Sequence, residues 1–516
     1  MKSGGEESTQ IAPPGRLSTT VLQGGAWLGF SALAQAILQI VIFAVLARLL
    51  TPSDFGLVAV AGIFIDLASG VAALGTSQAL VQRQELSAHH IRAAFWISVL
   101  MGGAMTALLF ACSRLLATIL GSPASAPLIA ALSITFLIRA FAFVPEGLAA
   151  RRFDFRILAL RQIVAYVVGY GIVGVGSALV GAGPWALVYA QLTQVGLASF
   201  LLIAAIRFDW HPTLDRAAYR AILGFGSGFS VARIASSFAN QVDRAIVSMN
   251  ASSAAVGLYT RAIQTTRYPT TLVGQVIEDV LFPSFAGVQA DRARLEAAFY
   301  RALGSIFVVL TPVAVFFCLA SEPITDILLG SQWGGVAALI VVFGVAIPLR
   351  SAQRIASALL RSIGRSWLVA SLQVALLMLT AVGAFLGVRH GLLGAAIGVT
   401  GAFAIHYILL LISTMIALKL KASKLLLRHF AGVHLSILVT IGSGGPLLLL
   451  ASYPPWLGIV SACASGGLVV LLAVLIRPRI FLGADGQWLV SLLLSKLPPR
   501  CRRQIAVSRL ARKVSS

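Results

Sequence analysis

Residues 24–47 read GGAWLGFSALAQAILQIVIFAVLA, a stretch that is mostly apolar and carries no charge. A helix of this length rises about 36 Å, which is enough to cross the hydrocarbon core of a bilayer. Similar runs recur at 162–181 and 433–452. The chain is 58% hydrophobic and only 11% charged, whereas soluble domains carry roughly 25% charged residues. The sequence therefore predicts an all-α polytopic membrane protein.

The apolar runs predict about fourteen transmembrane helices. An even number of crossings places both termini on the same side of the membrane. The predicted helices cover residues 24–50, 55–80, 92–119, 125–150, 158–182, 185–206, 222–249, 254–282, 299–320, 336–362, 367–388, 391–417, 433–452 and 456–476.

The distribution of basic residues predicts the orientation. Of the 39 Lys and Arg residues, 29 fall in segments on the side of the termini, and 3 lie near the opposite loops. Short cytoplasmic loops carry an excess of Lys and Arg in membrane proteins. We therefore expect a multi-pass protein of the bacterial inner membrane with both termini in the cytoplasm.

The two halves of the chain share short sequence matches. GFS occurs at 29–31 and 228–230, and FGL at 55–57 corresponds to VGL at 256–258. The polar stretch at 209–220 predicts a linker between the halves. Six helices followed by six in the same orientation form a parallel repeat, an arrangement that many transporters share. The predicted domains are a cytoplasmic N-terminal segment (1–23), an N-lobe (24–207), a cytoplasmic linker (208–221), a C-lobe (222–417), accessory helices (418–476) and a basic cytoplasmic tail (477–516).

The formal net charge of +22 raises the question of nucleic-acid binding. The charges lie in short loops between apolar runs, and no nucleic-acid-binding motif accompanies them. The four cysteines show no metal-ligand spacing, so neither a metal nor a cofactor is expected. In the tail, WLVSLLL at 488–494 precedes a cluster of cations. This pattern predicts an interfacial segment that binds anionic lipid.

Polar residues recur at helical spacing inside several predicted membrane helices, and arginines predominate among them. Such charges are costly unless they face protein or water, so the set predicts a shared aqueous cavity. Its cationic excess favours an anionic substrate, and the planar guanidinium suits phosphate. For any single residue, a contact between helices is the alternative role. The candidate substrate-binding residues are Arg139, Arg233, Asn240, Arg244, Arg267, Arg350 and Arg354.

Three carboxylates at membrane depth are candidates for ion coupling. They are Asp66, Asp243 and Glu278. A carboxylate in a membrane helix is expensive unless it has a partner or a function. We expect one or more of them to bind the driving ion, H⁺ or Na⁺.

The chain resembles the Wzx-type polysaccharide flippases of the multidrug/oligosaccharidyl-lipid/polysaccharide exporter superfamily. Three stretches carry the resemblance: LARLLTPSDFGLVAVA (46–61), NQVDRAIVSMNASSAAVGLYTRAIQTTRYP (240–269) and VLFPSFAGVQAD (280–291). The resemblance covers residues 24–417 and is closest to the exopolysaccharide, colanic-acid-like branch. The chain departs from the family at Arg244, where an uncharged residue ordinarily follows the Asn-x-x-Asp pattern.

The resemblance implies two six-helix lobes in a V, followed by two C-terminal helices. It also implies a transporter, not an enzyme, that moves polyprenyl-diphosphate-linked oligosaccharide units for surface polysaccharide assembly. An ion gradient or the membrane potential would drive alternating access. Partners are expected in the polysaccharide polymerase and export machinery.

Three other functions stay open from the residues themselves. A multidrug antiporter of the same superfamily would favour an acidic or aromatic cavity over a basic one. A membrane glycosyltransferase or polymerase would need a sizeable outer loop, and the longest one here, near 321–335, is short. A scaffold role in a polysaccharide synthesis complex would leave the arginines dispensable.

Overall fold

The structure, a computed structural model, describes only part of the 516 residues. The predicted N-terminal segment, the basic tail and the candidate residue Arg233 lie outside the described residues. The described residues are 34–72, 80, 87–152, 154–206, 208–213, 215–220, 238–287, 291–450 and 452–476.

Throughout these ranges the regular secondary structure is helical, without a strand. Eleven of the described helices are long and apolar enough to cross a membrane. The all-α, multi-pass membrane fold is therefore confirmed, whereas the expected number of fourteen spans is not. Part of the difference lies in the helix Ser253–Gly287, which is 35 residues long but carries several charged residues.

The helices form two compact units. The first comprises Met1–Leu49, Phe64–Leu116 and Ala124–Ile234. Its core joins the helices that start near Ala88, Ala126 and Trp185 through side chains such as Phe95 and Leu148. The helices that lie wholly or partly in this unit are α1 Ala34–Leu49, α2 Pro52–Ala72, α3 Ala88–Ile119, α4 Ala126–Arg151, α5 Phe155–Leu179 and α6 Trp185–Ala205.

Helix α5 changes its winding in mid-span. Residues Val167–Gly174 form a π-helix between two α-helical parts. This segment lies against α6 so closely that a Cβ atom on Gly169 would come within 2.7 Å of the Ala190 carbonyl oxygen. π-Helical segments are uncommon and occur frequently at functional sites. Here glycine permits the close approach of the two backbones.

The polar segment after α6 is attached to the start of α3. The Asp209 carboxylate pairs with Arg92, whose Nε donates to it at 3.0 Å. The Asp209 carboxylate also contacts His211 Nδ1 at 2.6 Å, and Trp96 Nε1 donates to the Trp210 carbonyl at 3.0 Å. Hydrogen bonds from the His211 ring and backbone, together with Arg92, hold the pKa of Asp209 well below its usual range.

We expect Asp209→Asn to loosen this attachment at neutral pH. A depressed carboxylate pKa means that the stabilisation is present above the unfolded value of about 3.9 and is lost as the pH falls below it. Trypsin cleavage at the exposed Arg216 should therefore accelerate roughly twofold to fivefold in the variant, because exposed ion pairs contribute modestly. Asp154→Asn is the control, since that side chain does not cap its helix. Equal cleavage of wild type and Asp209→Asn would contradict the interpretation.

The second unit comprises Leu50–Ile63, Ala117–Pro123 and Ala235–Ser516. Thus the first turns of α2 and the end of α3 belong to it. Its core is centred on buried residues such as Phe299, Phe307 and Leu359. Its further helices are α7 Val242–Asn250, α8 Ser253–Gly287, α9 Arg292–Leu319, α10 Ser321–Leu328, α11 Gly335–Ser362, α12 Ser366–Val388, α13 Gly391–Leu418, α14 Ala422–His429, α15 Val433–Leu449 and α16 Pro455–Ile476.

Two sequence-based expectations are wrong in this unit. The helix expected over 222–249 is interrupted by a turn at Asn240 and Gln241, so α7 begins only at Val242. Asn240 and Arg244 therefore do not share one continuous helical stripe. The loop expected near 321–335 contains the helix α10.

Helices α12 and α13 form a hairpin that depends on four glycines. Gly383 and Gly387 of α12 face Gly398 and Gly394 of α13. A Cβ atom on Gly387 would lie 2.8 Å from the Cα of Ala395, and one on Gly398 would lie 3.2 Å from the Cα of Gly383. The pattern is a GxxxG sequence on each helix, which lets membrane helices approach backbone to backbone.

We expect Gly398→Ala to destabilise the protein, because the added methyl group would overlap the Gly383 backbone. Overpacking a well-packed core costs about 1–3 kcal/mol. The measurement is the thermal transition in detergent, together with membrane abundance. Gly401→Ala on the same helix is the matched control, since nothing lies within 4 Å of a Cβ atom there. The same transition temperature for both variants would refute this packing argument.

Candidate functional site

The charged residues at the start of α7 are buried in the second unit. Asp243 and Arg244 are each 6% exposed. Asp243 Oδ1 accepts a hydrogen bond from the Arg244 backbone N–H at 2.8 Å, and Oδ2 accepts one from the Tyr259 hydroxyl at 3.3 Å. Tyr259 is fully buried on α8 and packs edge-on against Phe343 of α11. These contacts join three helices around one carboxylate.

Arg350 of α11 completes this group. Its guanidinium carbon lies 4.0 Å from the centroid of the Phe403 ring on α13. One turn later Gln353 Nε2 donates to the Phe403 carbonyl at 2.7 Å, which fixes the two helices together. Arg350 interacts electrostatically with Asp243 and Arg244. We call Asp243, Arg244, Tyr259 and Arg350 the arginine cluster.

The arginine cluster has unused hydrogen-bonding capacity. The Nε atoms of Arg244 and Arg350 are buried, and neither finds a hydrogen-bond partner within the described residues. A buried donor without a partner costs about 1–3 kcal/mol, so such atoms ordinarily meet water or a ligand. The cluster contains two guanidinium groups and one carboxylate, which leaves an excess of positive charge. Chemically it can bind an anion.

The second unit contains four further candidate residues. Arg267 on α8 is exposed and interacts electrostatically with Arg350. Arg354 lies one turn beyond Arg350 and is half-buried. Asn240 is exposed in the turn before α7, and Glu278 lies on α8.

The candidates Arg139 and Asp66 belong to the first unit, and both are exposed. Two turns after Arg139 on the same helix, the Glu146 carboxylate forms an ion pair with the Arg161 guanidinium of α5, and the nearest N and O atoms lie 3.1 Å apart. The Arg161 side chain is only 6% exposed. In the sequence Arg161 counts as a cation of the cytoplasmic side, so its burial was not predicted.

Sequence reasoning also missed two aromatic residues, one in the cluster and one that packs against it. Tyr259 and Phe403 read as ordinary lipid-facing or core residues in apolar runs. The available signal was the polar composition of α8, where Thr260 and Gln264 follow Tyr259. A tyrosine beside such a stripe has a hydroxyl that needs a partner when it is buried.

A second group of close contacts in this unit joins the starts of α2 and α8. A Cβ atom on Gly56 would lie 3.1 Å from the Gly257 nitrogen, and one on Gly257 would lie 3.2 Å from the Gly56 nitrogen. Each glycine also meets a carbonyl of the other helix: Gly56 faces Ser253, and Gly257 faces Pro52. We call these four residues the glycine crossing. Its two glycines are the matching positions of FGL and VGL.

The surrounding side chains reinforce the glycine crossing. Phe55 packs edge-on against the buried Trp333, with ring centroids 5.3 Å apart. The guanidinium carbon of Arg261 lies over the Phe55 ring, 4.2 Å from its centroid. Gln332 Nε2 donates to the Leu50 carbonyl at 3.1 Å. Arg261 thus takes part in the packing around the glycine crossing.

The start of α2 is fixed by its own sequence. The Asp54 carboxylate accepts from the Thr51 backbone N–H at 2.9 Å, and the Thr51 hydroxyl accepts from the Asp54 N–H at 3.2 Å. This reciprocal pair is a capping box, which satisfies backbone donors at a helix start. It positions Pro52 and Gly56 for the glycine crossing.

Comparison with known proteins identifies the type of chain. A family model described as "Polysaccharide biosynthesis protein" matches residues 45–338. The succinoglycan biosynthesis transport protein ExoT of Rhizobium meliloti (strain 1021) is 28% identical over 315 residues, which are 61% of this chain and 63% of that protein. The aligned part is thus less than two thirds of that relative's length. The lipopolysaccharide biosynthesis protein WzxC of Escherichia coli (strain K12) is 24% identical over 346 residues, 65% of this chain and 68% of that protein.

Solved structures show the same fold. The lipid II flippase MurJ in an inward closed conformation matches with a TM-score of 0.69 at 13% identity, over 89% of this chain and 99% of that one. An inward-facing multidrug resistance MATE family transporter of the MOP superfamily matches with a TM-score of 0.62 at 17% identity, over 75% of this chain and 94% of that one. At identities of 17% and 13%, these two comparisons show only that the fold is shared.

Proposed function

The chain belongs to the polysaccharide biosynthesis protein family, and on that premise we propose that it flips polyprenyl-diphosphate-linked oligosaccharide units across the bacterial inner membrane by alternating access. The substrate serves surface or exopolysaccharide assembly. The names of the succinoglycan and lipopolysaccharide relatives support transport and polysaccharide synthesis as the process.

The observation that carries this proposal is the arginine cluster. It places two guanidinium groups in the interior of a membrane protein, and the Nε donor of each has no hydrogen-bond partner among the described residues. A diphosphate supplies several acceptor oxygens and negative charge, which are the complement of such donors. A cationic drug would meet repulsion at the same place, so the cluster counts against a multidrug antiporter. Arg139, Arg233, Asn240, Arg267 and Arg354 complete the proposed substrate-binding residues.

The direct test uses the purified full chain in proteoliposomes. A polyprenyl-diphosphate-linked oligosaccharide is incorporated, and its exposure on the outer leaflet is followed with a membrane-impermeant glycosidase. The protein should accelerate transbilayer movement, and the same lipid with a monophosphate linkage should move more slowly. No acceleration above protein-free vesicles would refute the flippase function. Equal flipping rates for the diphosphate-linked and monophosphate-linked lipids would refute only the recognition of the diphosphate and would leave the flippase function intact.

Ion coupling is a separate part of the proposal. We propose that Asp66, Asp243 or Glu278 binds the coupling ion, H⁺ or Na⁺. Asp243 is the most deeply buried of those whose side chains the structure describes, and its present partners are Arg244 and Tyr259. Flipping would be measured for Asp66→Asn, Asp243→Asn and Glu278→Gln while proton and sodium gradients are imposed in turn. A wild-type response to both gradients in all three variants would eliminate these carboxylates.

The proposed orientation places both termini in the cytoplasm. A cysteine at the exposed Ser452 should therefore react with an impermeant thiol reagent added to intact cells, whereas cysteines at the exposed Ser87 and Ser423 should react only after lysis. The reason is the distribution of Lys and Arg between the two sides. Ser423 and Ser452 flank the same candidate span, so they form a matched pair. Labelling of the Ser423→Cys variant in intact cells would contradict the proposed orientation.

The proposed partners beyond the substrate are anionic lipid at the tail 477–516 and the polysaccharide polymerase and export machinery. The tail contributes nine cations from Arg477 onward. Basic segments next to a membrane helix are attracted to anionic headgroups by about 1 kcal/mol for each cation. Co-purification of the polymerase with the flippase would test the second partner.

A further inference from the structure

A cluster of lysines lies where α13 ends and α14 begins. Helix α13 ends at Leu418, and the chain turns through Lys419, which has the positive φ of 46°. Lys419, Lys421 and Lys424 are all exposed. Across the part of the chain that the structure describes, no acid lies within ion-pair distance of these three lysines. We call the three lysines together with α14 the basic platform.

The basic platform is held firmly against the second unit. The Tyr300 hydroxyl of α9 accepts from the Lys421 N–H at 3.2 Å and lies 3.3 Å from the Lys421 carbonyl oxygen, to which it donates. Arg292 donates to the Leu418 carbonyl at 2.6 Å. At the other end of α14, His429 contacts the Tyr407 hydroxyl at 2.7 Å. The position of the lysines is therefore set by the fold.

The depth of the platform follows from helix length. Residues Ala422–Leu449 form one apolar segment of 28 residues that includes α14 and α15. A 3-10 turn at Phe430–Gly432 separates α14 from α15, so the segment is not one straight helix. Helix α15 alone, with 17 residues, rises about 26 Å and accounts for most of a hydrocarbon core of about 30 Å. Helix α14, which precedes it, therefore lies at headgroup depth. Lysine side chains there extend toward phosphate groups while their stems cover apolar surface.

Apolar side chains accompany the lysines on the outer surface of α14. Leu425 is buried against the protein at 4% exposure, whereas Leu426, Leu427 and Phe430 are 60%, 70% and 62% exposed. A free protein surface rarely presents three such neighbours, and lipid chains are the natural cover in a membrane protein. The surface therefore offers an apolar contact for acyl chains next to a cationic contact for a headgroup.

One nearby acid does not cancel this charge. Glu296 of α9 and Arg428 of α14 both interact electrostatically with Tyr300, and among the described residues no ion pair joins Glu296 to any of the three lysines. Lys424 Nζ lies 5.9 Å from the Tyr300 centroid, which adds an aromatic contact to its ammonium group. The lysine ammonium groups are therefore available to an external ligand.

We propose that the basic platform binds an anionic phospholipid of the surrounding leaflet through its phosphate group. The three lysines contact the headgroup, and Leu426, Leu427 and Phe430 contact the acyl chains. This site is separate from the arginine cluster and from the tail 477–516. It stabilises the junction between α13 and the C-terminal helices without taking part in substrate binding.

The experiment measures lipid binding to the purified full chain by native mass spectrometry. Phosphatidylglycerol and phosphatidylcholine are titrated separately, and the apparent Kd of the first bound lipid is obtained for each. Wild type should prefer phosphatidylglycerol. Neutralising one cation near an anionic headgroup weakens binding by roughly fivefold, so the triple change should weaken phosphatidylglycerol binding at least tenfold and leave phosphatidylcholine unchanged. The variant carries Lys419→Gln, Lys421→Gln and Lys424→Gln.

Three further variants make the result specific. Triple replacement of the same lysines by Arg should preserve the preference, because it keeps the charge. Two controls remove three charges elsewhere. The first should bind phosphatidylglycerol as wild type does. The second reduces the separate, weaker lipid contact proposed for the tail, and it should leave the apparent Kd of the first bound lipid unchanged. The first control replaces three exposed cytoplasmic-side residues by Gln: Arg216, Arg220 and Arg365. The second control replaces three tail residues by Gln: Arg509, Arg512 and Lys513.

Each outcome decides the proposal. Selective loss in the platform variant, with both controls intact, supports a lipid site at the platform. Unchanged binding in the platform variant overturns it. If the first control loses as much affinity for phosphatidylglycerol as the platform variant, the effect is one of net charge. If only the tail control loses affinity, the lipid site lies in the tail. Either result overturns the proposal. Because flipping is not the readout, these results are independent of the proposed function.

Discussion

Gly257→Ala should reduce glycan export by roughly fivefold to a hundredfold while the protein remains in the membrane. The added Cβ atom would overlap the Pro52 carbonyl and come within 3.2 Å of the Gly56 nitrogen. Neither backbone can yield easily, because the capping box of Thr51 and Asp54 holds the start of α2. Overpacking of about 1–3 kcal/mol would lower the population of this contact by roughly fivefold to a hundredfold. Alternating access fails if one of its states cannot form.

Export would be measured in cells that lack the native protein, with membrane abundance determined in parallel. Gly62→Ala is the control on the same helix α2, because nothing lies within 4 Å of a Cβ atom there. Normal export by Gly257→Ala would show that the glycine crossing is dispensable for transport. Loss of the variant from the membrane, with Gly62→Ala retained, would instead assign the crossing to folding.

Arg350→Gln should weaken binding of the diphosphate-linked substrate by roughly tenfold to a hundredfold, the loss of one charge-assisted hydrogen bond of about 1.5–3 kcal/mol. Arg350→Lys should recover only part of this, because lysine keeps the charge but loses the planar group that lies over Phe403. The measurement is substrate affinity in detergent, followed by the flipping rate in proteoliposomes.

Arg389→Gln provides the matched control for Arg350. Arg389 also lies over a phenylalanine, 4.9 Å from the Phe385 centroid, but it is exposed at the end of α12. It should bind substrate as wild type does. If Arg350→Gln folds and binds substrate normally, the arginine cluster is not the diphosphate site. If it fails to accumulate whereas Arg389→Gln does, the arginine serves packing.

The amino-acid sequence predicted the class of fold because apolar length and the spacing of charges are local properties. The spans that contain Ala126–Arg151 and Gly391–Leu418 lie within a few residues of their expected positions. The position of the turn before Val242 was not predictable, since apolar composition continues through it. Packing against α8 and α12, which lie later in the chain, accompanies that local break.

The candidate site was predicted in part, for a similar reason. Helical spacing indicates which residues share a face, and it led to Arg244 and Arg350. It cannot indicate which side chains of different helices meet. Tyr259 reaches Asp243 from α8, and Arg161 reaches Glu146 from α5. These pairings depend on how helices pack in three dimensions, so only the structure brings them together.

The contacts of the glycine crossing are reciprocal. Gly56 meets the carbonyl of Ser253, four residues before Gly257, and Gly257 meets the carbonyl of Pro52, four residues before Gly56. In an isologous dimer, residue i contacts residue j of the second copy while j contacts i. The glycine crossing has the same reciprocity within a single chain, so the starts of α2 and α8 meet as two equivalent partners. Neither glycine can gain a side chain unless the other helix moves away.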